Sequence, residues 1–413
     1  MITTINNKHN KLNVPNKREQ NQTCLDSAER EGLRPKGNVP TLRFPEFQGE
    51  WDSFLINEIC SEFKSGKNIK ADSISENGEY PVFGGNGLRG YTASYNHEGL
   101  YVLIGRQGAL CGNVRSVNGK TYITEHAIAA AGNEKSNTSF LHYLFIKMNL
   151  GQYSDQSAQP GLAVNKLLKL KVLLPPISEQ KKIAKLLSLL DERIATQNKI
   201  IDKLQSLIKG LNDALYAQHG DEVMTTFADL GSSYSGLSGK SAQDFGSGKP
   251  FITYLNVYSN NVINENDFQY VAIEDGEKQN VAEYGDVLFT LSSETPEEVG
   301  IGSVYLGKEK VYLNSFCFGI HITNTKVAFS PYLSYYVSST AFRKFIYPYA
   351  QGSTRFNLCK ADFEKASIKL PTLENQKQIY SILSHIDSKI ITERQMLDLY
   401  NSQKQYLLRQ MFI

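Results

Sequence analysis

Ten positions between Ile183 and Leu215 step through the chain in alternating fours and threes: Ile183, Leu187, Leu190, Ile194, Gln197, Ile201, Leu204, Ile208, Leu211 and Leu215. This is a heptad seam, the mark of a helix that packs along a partner helix. No proline interrupts it, and Gly210 is its first glycine. About 40 residues rising 1.5 Å each make a rod of roughly 60 Å. Adding 196 to every position lands on a second seam: Ile379, Leu383, Ile386, Ile390, Glu393, Leu397, Tyr400, Lys404, Leu407 and Met411. Even the polar layer recurs, with Gln197 matched by Glu393. From Leu174 to Leu211, 13 of 38 positions are identical at this offset. Gln180-Lys181 and Asp191 are among them, matched by Gln376-Lys377 and Asp387. The chain carries an internal duplication.

The segments between the helices have another character. Residues 1–38 are polar and rich in Asn, Lys and Gln, and read as a disordered extension. Residues 39–173 alternate short apolar runs with Gly/Asn turns, as in Glu79–Phe83 and Gly99–Ile104, and predict strands. Ser139–Asn149 predicts a helix within them. Residues 174–221 hold the first long helix. Residues 222–369 are again strand-like, clearest at Gly285–Thr290, with a helix expected over Pro331–Phe345. Residues 370–413 hold the second long helix. The two globular segments echo each other only briefly, at Phe54…Ile59 against Phe227…Leu230 and at Ala158-Gln159-Pro160-Gly161 against Ala350-Gln351-Gly352-Ser353. The helices read as a duplicated scaffold bearing diverged heads. Two such helices can pack antiparallel and hold the heads apart about a pseudo-two-fold axis. A rod of this length spans two DNA half-sites one turn, about 34 Å, apart. The competing reading is a coiled-coil scaffold that binds only proteins.

Composition narrows the function classes. Five scattered cysteines without a Cys-x-x-Cys argue against a disulfide framework or a zinc site. The seven histidines show no metal spacing. No apolar run approaches the 18 residues of a membrane span, and the N-terminus has no secretion signal, so the expected compartment is the cytoplasm. Net charge is only +2; residues 41–170 hold 12 Lys/Arg against 12 Asp/Glu, and residues 222–370 hold 12 against 16. If these segments bind DNA, positive charge is gathered on one face or partners supply much of the phosphate contact.

The enzyme motifs fail on context. Gly85-Asn86-Gly87-Leu88-Arg89-Gly90 spells G-x-G-x-x-G, but no helix pattern follows to take a pyrophosphate. It reads instead as a hairpin turn with Asn86 and Arg89 at its tip. Gly119-Lys120-Thr121 and Gly239-Lys240-Ser241 lack the upstream P-loop glycine, since Val114 and Tyr234 stand there. Pro175-Pro176-Ile177 is not the Asn/Asp-Pro-Pro-aromatic string of an adenine methyltransferase. Asp52 with Glu62-Phe63-Lys64 is a weak nuclease pattern.

Several strings together resemble the specificity subunit of type I restriction-modification enzymes. They are Val39-Pro40-Thr41-Leu42-Arg43-Phe44-Pro45, Tyr80–Tyr91, Ile104-Gly105-Arg106-Gln107-Gly108, Tyr254-Leu255-Asn256-Val257, Tyr284–Phe289 and the helix entry Leu174-Pro175-Pro176-Ile177…Glu179-Gln180-Lys181-Lys182-Ile183-Ala184. The second helix entry departs from it, with Asn375 where the first has Glu179. The resemblance runs from about residue 39 to the end. It implies an α+β chain of two α/β target-recognition domains separated by two long antiparallel coiled-coil helices. It implies no catalysis in this subunit and no cofactor of its own. Two modification subunits would bind S-adenosylmethionine and methylate adenine. Restriction subunits would use ATP and magnesium to move and cut double-stranded DNA.

Base reading calls for Arg or Lys toward guanine and Asn or Gln toward adenine; phosphates take Lys, Arg, hydroxyls and backbone N–H groups. On the loops of the first domain that points to Lys67, Asn86, Arg89, Tyr91, Arg106, Gln107, Asn113 and Arg115. In the second it points to Lys249, Tyr254, Asn256, Tyr258, Ser292, Ser293, Lys308, Asn314 and Arg355. Each has a structural rival: Arg106 as a buried ion pair, Tyr254 as core.

Overall fold

The computed structural model describes residues 37–155 and 161–413. The expected extension, apart from residues 37 and 38, and most of the Ala158-Gln159-Pro160-Gly161 echo lie outside them. The chain forms two compact units. The first holds the described residues up to Thr196 together with Leu397–Ile413, and the second is Gln197–Met396. Each unit therefore contains one globular segment and a stretch of both long helices.

In the first unit the strands are β1 (Asp52–Leu55), β2 (Cys60–Ser65), β3 (Tyr80–Gly84), β4 (Gly87–Thr92), β5 (His97–Glu98), β6 (Tyr101–Gly105), β7 (Val114–Val117), β8 (Lys120–Ile123), β9 (Ala127–Gly132) and β10 (Lys171–Leu174). They build one sheet in the order β2-β9-β6-β7 and another in the order β4-β3-β8-β5, in which β3 runs parallel to β8. β1 pairs with β10, setting Asp52 opposite Leu174 just before the long helix. Helix α1 (Thr138–Met148) starts where the Asn137 side chain accepts the Phe140 N–H, and ends at Asn149, whose φ is +47°. Helix α2 (Ile177–His219) follows β10. The core gathers Trp51, Phe140, Phe145, Ile183 and Leu187 with Leu408, Met411 and Phe412 from the end of the chain. The Phe412 ring stacks on Phe140 at 5.1 Å.

In the second unit the strands are β11 (Val223–Thr225), β12 (Gly231–Ser235), β13 (Phe245–Ile252), β14 (Gln269–Val271), β15 (Val281–Ala282), β16 (Val287–Thr290), β17 (Ser292–Ser293), β18 (Gly302–Val304), β19 (Val311–Leu313), β20 (Cys317–Ile322), β21 (Ala350–Gln351), β22 (Phe356–Leu358) and β23 (Ile368–Leu370). The sheets run β12-β20-β16-β18 and β14-β13-β19-β15, with β13 parallel to β19, and β11 pairs with β23. Strand for strand this is the first unit again, with β17-β22-β21 as an addition. The heads are thus duplicated along with the helices, and have diverged in sequence while keeping one strand order. Sheet topology survives so long as inward positions stay apolar, so little residue identity remains to betray it. The single helix expected over Pro331–Phe345 is two: α3 (Ser330–Tyr336) and the turns Thr340–Ile346. The break falls at Ser339, whose hydroxyl accepts the Phe342 N–H and caps the second piece.

Helix α4 (Leu373–Gln410) closes the chain. All the seam positions of α2 and α4 are buried or half-buried. The helices pair antiparallel inside each unit. In the first, Lys404 Nζ lies 2.5 Å from Asp191. In the second, Gln197 Nε2 donates to the backbone carbonyl of Glu393 at 3.0 Å and to its carboxylate, and Ile208, Leu211 and Leu215 share a core with Ile379 and Leu383. Gly210 sits in open space, and the helix passes through it.

Each head is fastened to its helix by a repeated device. Gln180 is wholly buried; its Oε1 accepts the Asn137 N–H, and its Nε2 donates to the carbonyls of Lys135 and Pro175. Gln376 does the same with the Phe329 N–H and the carbonyls of Val327 and Pro371. The substitution of Asn375 for Glu179 is matched across the contact. Glu179 binds Arg43 at 2.7 Å, whereas Asn375 donates to Glu222 at 2.9 Å.

Candidate nucleic-acid interface

In the first unit, β3 and β4 meet in a hairpin turned by Gly85 and Asn86. Gly87 has φ +107°, and a Cβ there would stand 3.0 Å from the guanidinium carbon of Arg115 on β7. A Cβ on Gly84 would meet Arg89 Cδ at 3.0 Å and the Thr124 hydroxyl at 3.4 Å, and one on Gly85 would meet the His126 carbonyl at 2.7 Å. The hairpin is therefore packed on the turn Thr124–His126. Arg106 joins by donating its backbone N–H to the His126 carbonyl at 2.9 Å. Gln107 Oε1 lies 3.1 Å from His126 Nδ1, and the Lys67 N–H donates to the Ile123 carbonyl.

Six of the eight residues named for this domain, Lys67, Asn86, Arg89, Arg106, Gln107 and Arg115, so converge on one end of the two sheets. Among the described residues, the side chains of Arg89, Arg106 and Arg115 have no ion pair, so the rival reading of Arg106 as a buried ion pair does not hold. Arg89 is on β4, not at the hairpin tip, because only two residues separate the strands. Asn113 is exposed at the start of β7. Tyr91 lies further from the tip, bonded through its backbone to Ser75. Among the described residues, Arg115 Nε, the Thr124 hydroxyl and one Glu125 oxygen are buried without a partner. Each such atom costs about 1–3 kcal/mol, an expense retained where something else completes the bond.

The second unit builds the corresponding end differently. Tyr254 and Tyr258 stack at 6.0 Å, and the Tyr254 hydroxyl donates to the Ser292 carbonyl at 2.8 Å. Ser293 donates to Glu298 at 3.0 Å. The Tyr258 hydroxyl, bonded to the same carboxylate, is held above its ordinary pKa. Three expectations need correction. Asn256 is only 3% exposed: its amide clasps the backbone of Asn264 and meets Asn260, closing a loop and leaving nothing to present. Ser292 and Ser293 are 5% and 7% exposed because β17 is covered by pairing with β22. Asn314 is half-buried and caps the turn before Phe316, whose ring is exposed. Lys249, Lys308 and Arg355 are exposed, on β13, on the β18–β19 turn and on the β21–β22 turn.

Residue type alone did not single out Thr124, Glu125, His126, Glu298 or Arg343. Arg343 donates to the carbonyls of Glu297, Val299 and Gly300 at 2.6, 2.7 and 2.8 Å and so fixes the loop after β17. Glu62, the carboxylate of the weak nuclease pattern, is engaged by Lys64, His97 and Tyr101. The G-x-G-x-x-G string crosses the hairpin into β4 rather than into a helix. Among the described residues, no helix is long and apolar enough to cross a membrane.

Comparison with known proteins agrees with this architecture. The model of the type I restriction modification DNA specificity domain matches residues 48–206 and again 237–399. The Escherichia coli "Type I restriction enzyme EcoprrI specificity subunit" is 44% identical over 154 residues, an alignment spanning 36% of this chain and 38% of that one. A Haemophilus influenzae protein named as a type I restriction enzyme specificity subunit is 24% identical over 384 residues, 86% of this chain and 93% of its own. The crystal structure of an S subunit from M. genitalium superposes with a TM-score of 0.59 at 15% identity, covering 91% of this chain and 99% of that one. A family model that matches twice, once on each half of the chain, over a strand order that also occurs twice, places this chain in the family of type I restriction-modification specificity subunits.

Proposed function

We propose that each unit reads one half of a split double-stranded DNA sequence, while the paired helices set the gap between the halves and dock two modification subunits. The observation that carries this is the repetition of one sheet topology with unlike chemistry at its loop ends: arginines without an ion pair among the described residues in one unit, stacked tyrosines and a carboxylate in the other. The subunit performs no chemistry itself. Its partners bind S-adenosylmethionine and methylate adenine, and restriction subunits using ATP and magnesium complete the assembly. The net charge of +2 fits a division of labour in which this chain reads bases and its partners neutralise much of the phosphate backbone.

Exchanging residues 222–370 for the matching segment of another family member tests the proposal. The methylated motif of the reconstituted complex should change in one half only. An unchanged motif, or one altered in both halves, would overturn it.

A further inference from the structure

We propose that Arg115, laid across Gly87 and flanked by Arg89, reads the guanine of a G·C pair in the half-site of the first unit. This rests on the reading that each unit binds DNA, and it names what one unit recognises. The guanidinium carbon of Arg115 stands 3.0 Å from the place a Gly87 Cβ would occupy, so only glycine lets the fork lie there. Its Nε is buried, which seats the stem, and among the described residues it has no acceptor. An arginine serving phosphates swings on a free stem at the rim. A fork laid against backbone has less rotamer freedom to lose on binding, and it matches the paired O6 and N7 acceptors of guanine in the major groove.

The surroundings complement the other base of the pair. Glu125 places one carboxylate oxygen 3.2 Å from His126 Nε2, while the other is buried without a donor. The exposed part of that carboxylate is of the type that accepts from the N4 amino group of cytosine. The Thr124 hydroxyl, in the same turn, is wholly buried and, among the described residues, also unpartnered. Donors for guanine, Arg115 on β7 and Arg89 on β4, and an acceptor for cytosine thus lie around one hairpin and the turn beneath it. In the second unit the carboxylate of Glu298 is instead bonded to Tyr258 and Ser293.

The test uses the chain assembled with its modification subunits and reads methylated motifs by long-read sequencing. The half that persists when residues 222–370 are exchanged belongs to the first unit. That half should contain a G·C pair. Arg115→Ala and Arg115→Lys should both relax selection at one guanine there by roughly tenfold to a hundredfold, with the other half-site unchanged. Lysine keeps the charge and loses the fork, so an Arg115→Lys complex with intact selection would assign Arg115 to a phosphate and overturn the proposal. A first half-site of A·T pairs alone would overturn it too. So would loss of all methylation in both variants while the complex still assembles, which would make the residue structural. If the wild-type complex methylates no bipartite motif, the underlying reading fails instead.

Discussion

The hydroxyl of Tyr143 donates to the carboxylate of Asp191 at 2.9 Å, and Lys404 grips the other oxygen of that carboxylate at 2.5 Å. The second unit repeats the tyrosine contact, Tyr335 to Asp387, but has Ile208 at the position 196 residues before Lys404. Among the described residues Asp387 has no ion pair, and burial holds its carboxyl above the ordinary range. Asp387→Asn strands no charge and leaves an amide oxygen to accept from Tyr335, so it should cost less than the matching change at Asp191. Asp191→Asn strands a half-buried ammonium and should cost about 1 kcal/mol or more. Thermal unfolding of the two variants measures this; equal costs would contradict it.

Gln197 and Glu393 interrupt an otherwise apolar stretch of seam with a hydrogen bond. A polar layer of this kind fixes register at a cost in stability. Replacing both by leucine should raise the melting temperature and loosen the spacing of the recognised half-sites. Melting curves and methylated-motif spacing report the two effects separately. A double variant that melts lower would show that the layer stabilises.

Arg343 is buried enough that its pKa is lowered, and it donates to three carbonyls of one loop. Arg343→Ala should leave those carbonyls unpaired, cost about 2 kcal/mol or more, and raise hydrogen exchange across residues 291–301. Arg343→Lys should not restore protection, because one ammonium cannot reproduce the planar fork. Recognition of the second half-site should weaken and the first persist. Unaltered exchange in the alanine variant would remove Arg343 from this role.

His142 lies in α1 with its pKa lowered to about 4, first by burial and then by the charge of Lys404. The unfolded imidazole titrates near ~6.5. As pH falls through that value the unfolded chain takes up a proton that the folded chain refuses. Stability should therefore drop between about 6.5 and 4, by up to about 3 kcal/mol. His142→Phe should flatten that part of the curve. Melting temperature against pH for both proteins decides it, and parallel curves would refute the assignment.

By itself the sequence determined the helices. Heptad spacing is local and periodic, so Ile183 to Leu215 and their counterparts were legible residue by residue, as were the antiparallel plan and the Gln197–Glu393 layer. It also exposed the hairpin at Gly85-Asn86, since that turn chemistry is local too. Only the tertiary structure decided that the heads are one fold twice, because strand order depends on pairings such as β3 with β8 between residues some 40 apart in sequence. It likewise decided which polar residues are free. Asn256 and Arg115 look equally fit to read a base, yet packing closes Asn256 onto Asn264 and lays Arg115 across Gly87 without a partner among the described residues. Residue type sets what a side chain can bond; the neighbours brought by the fold set whether that bond is already made.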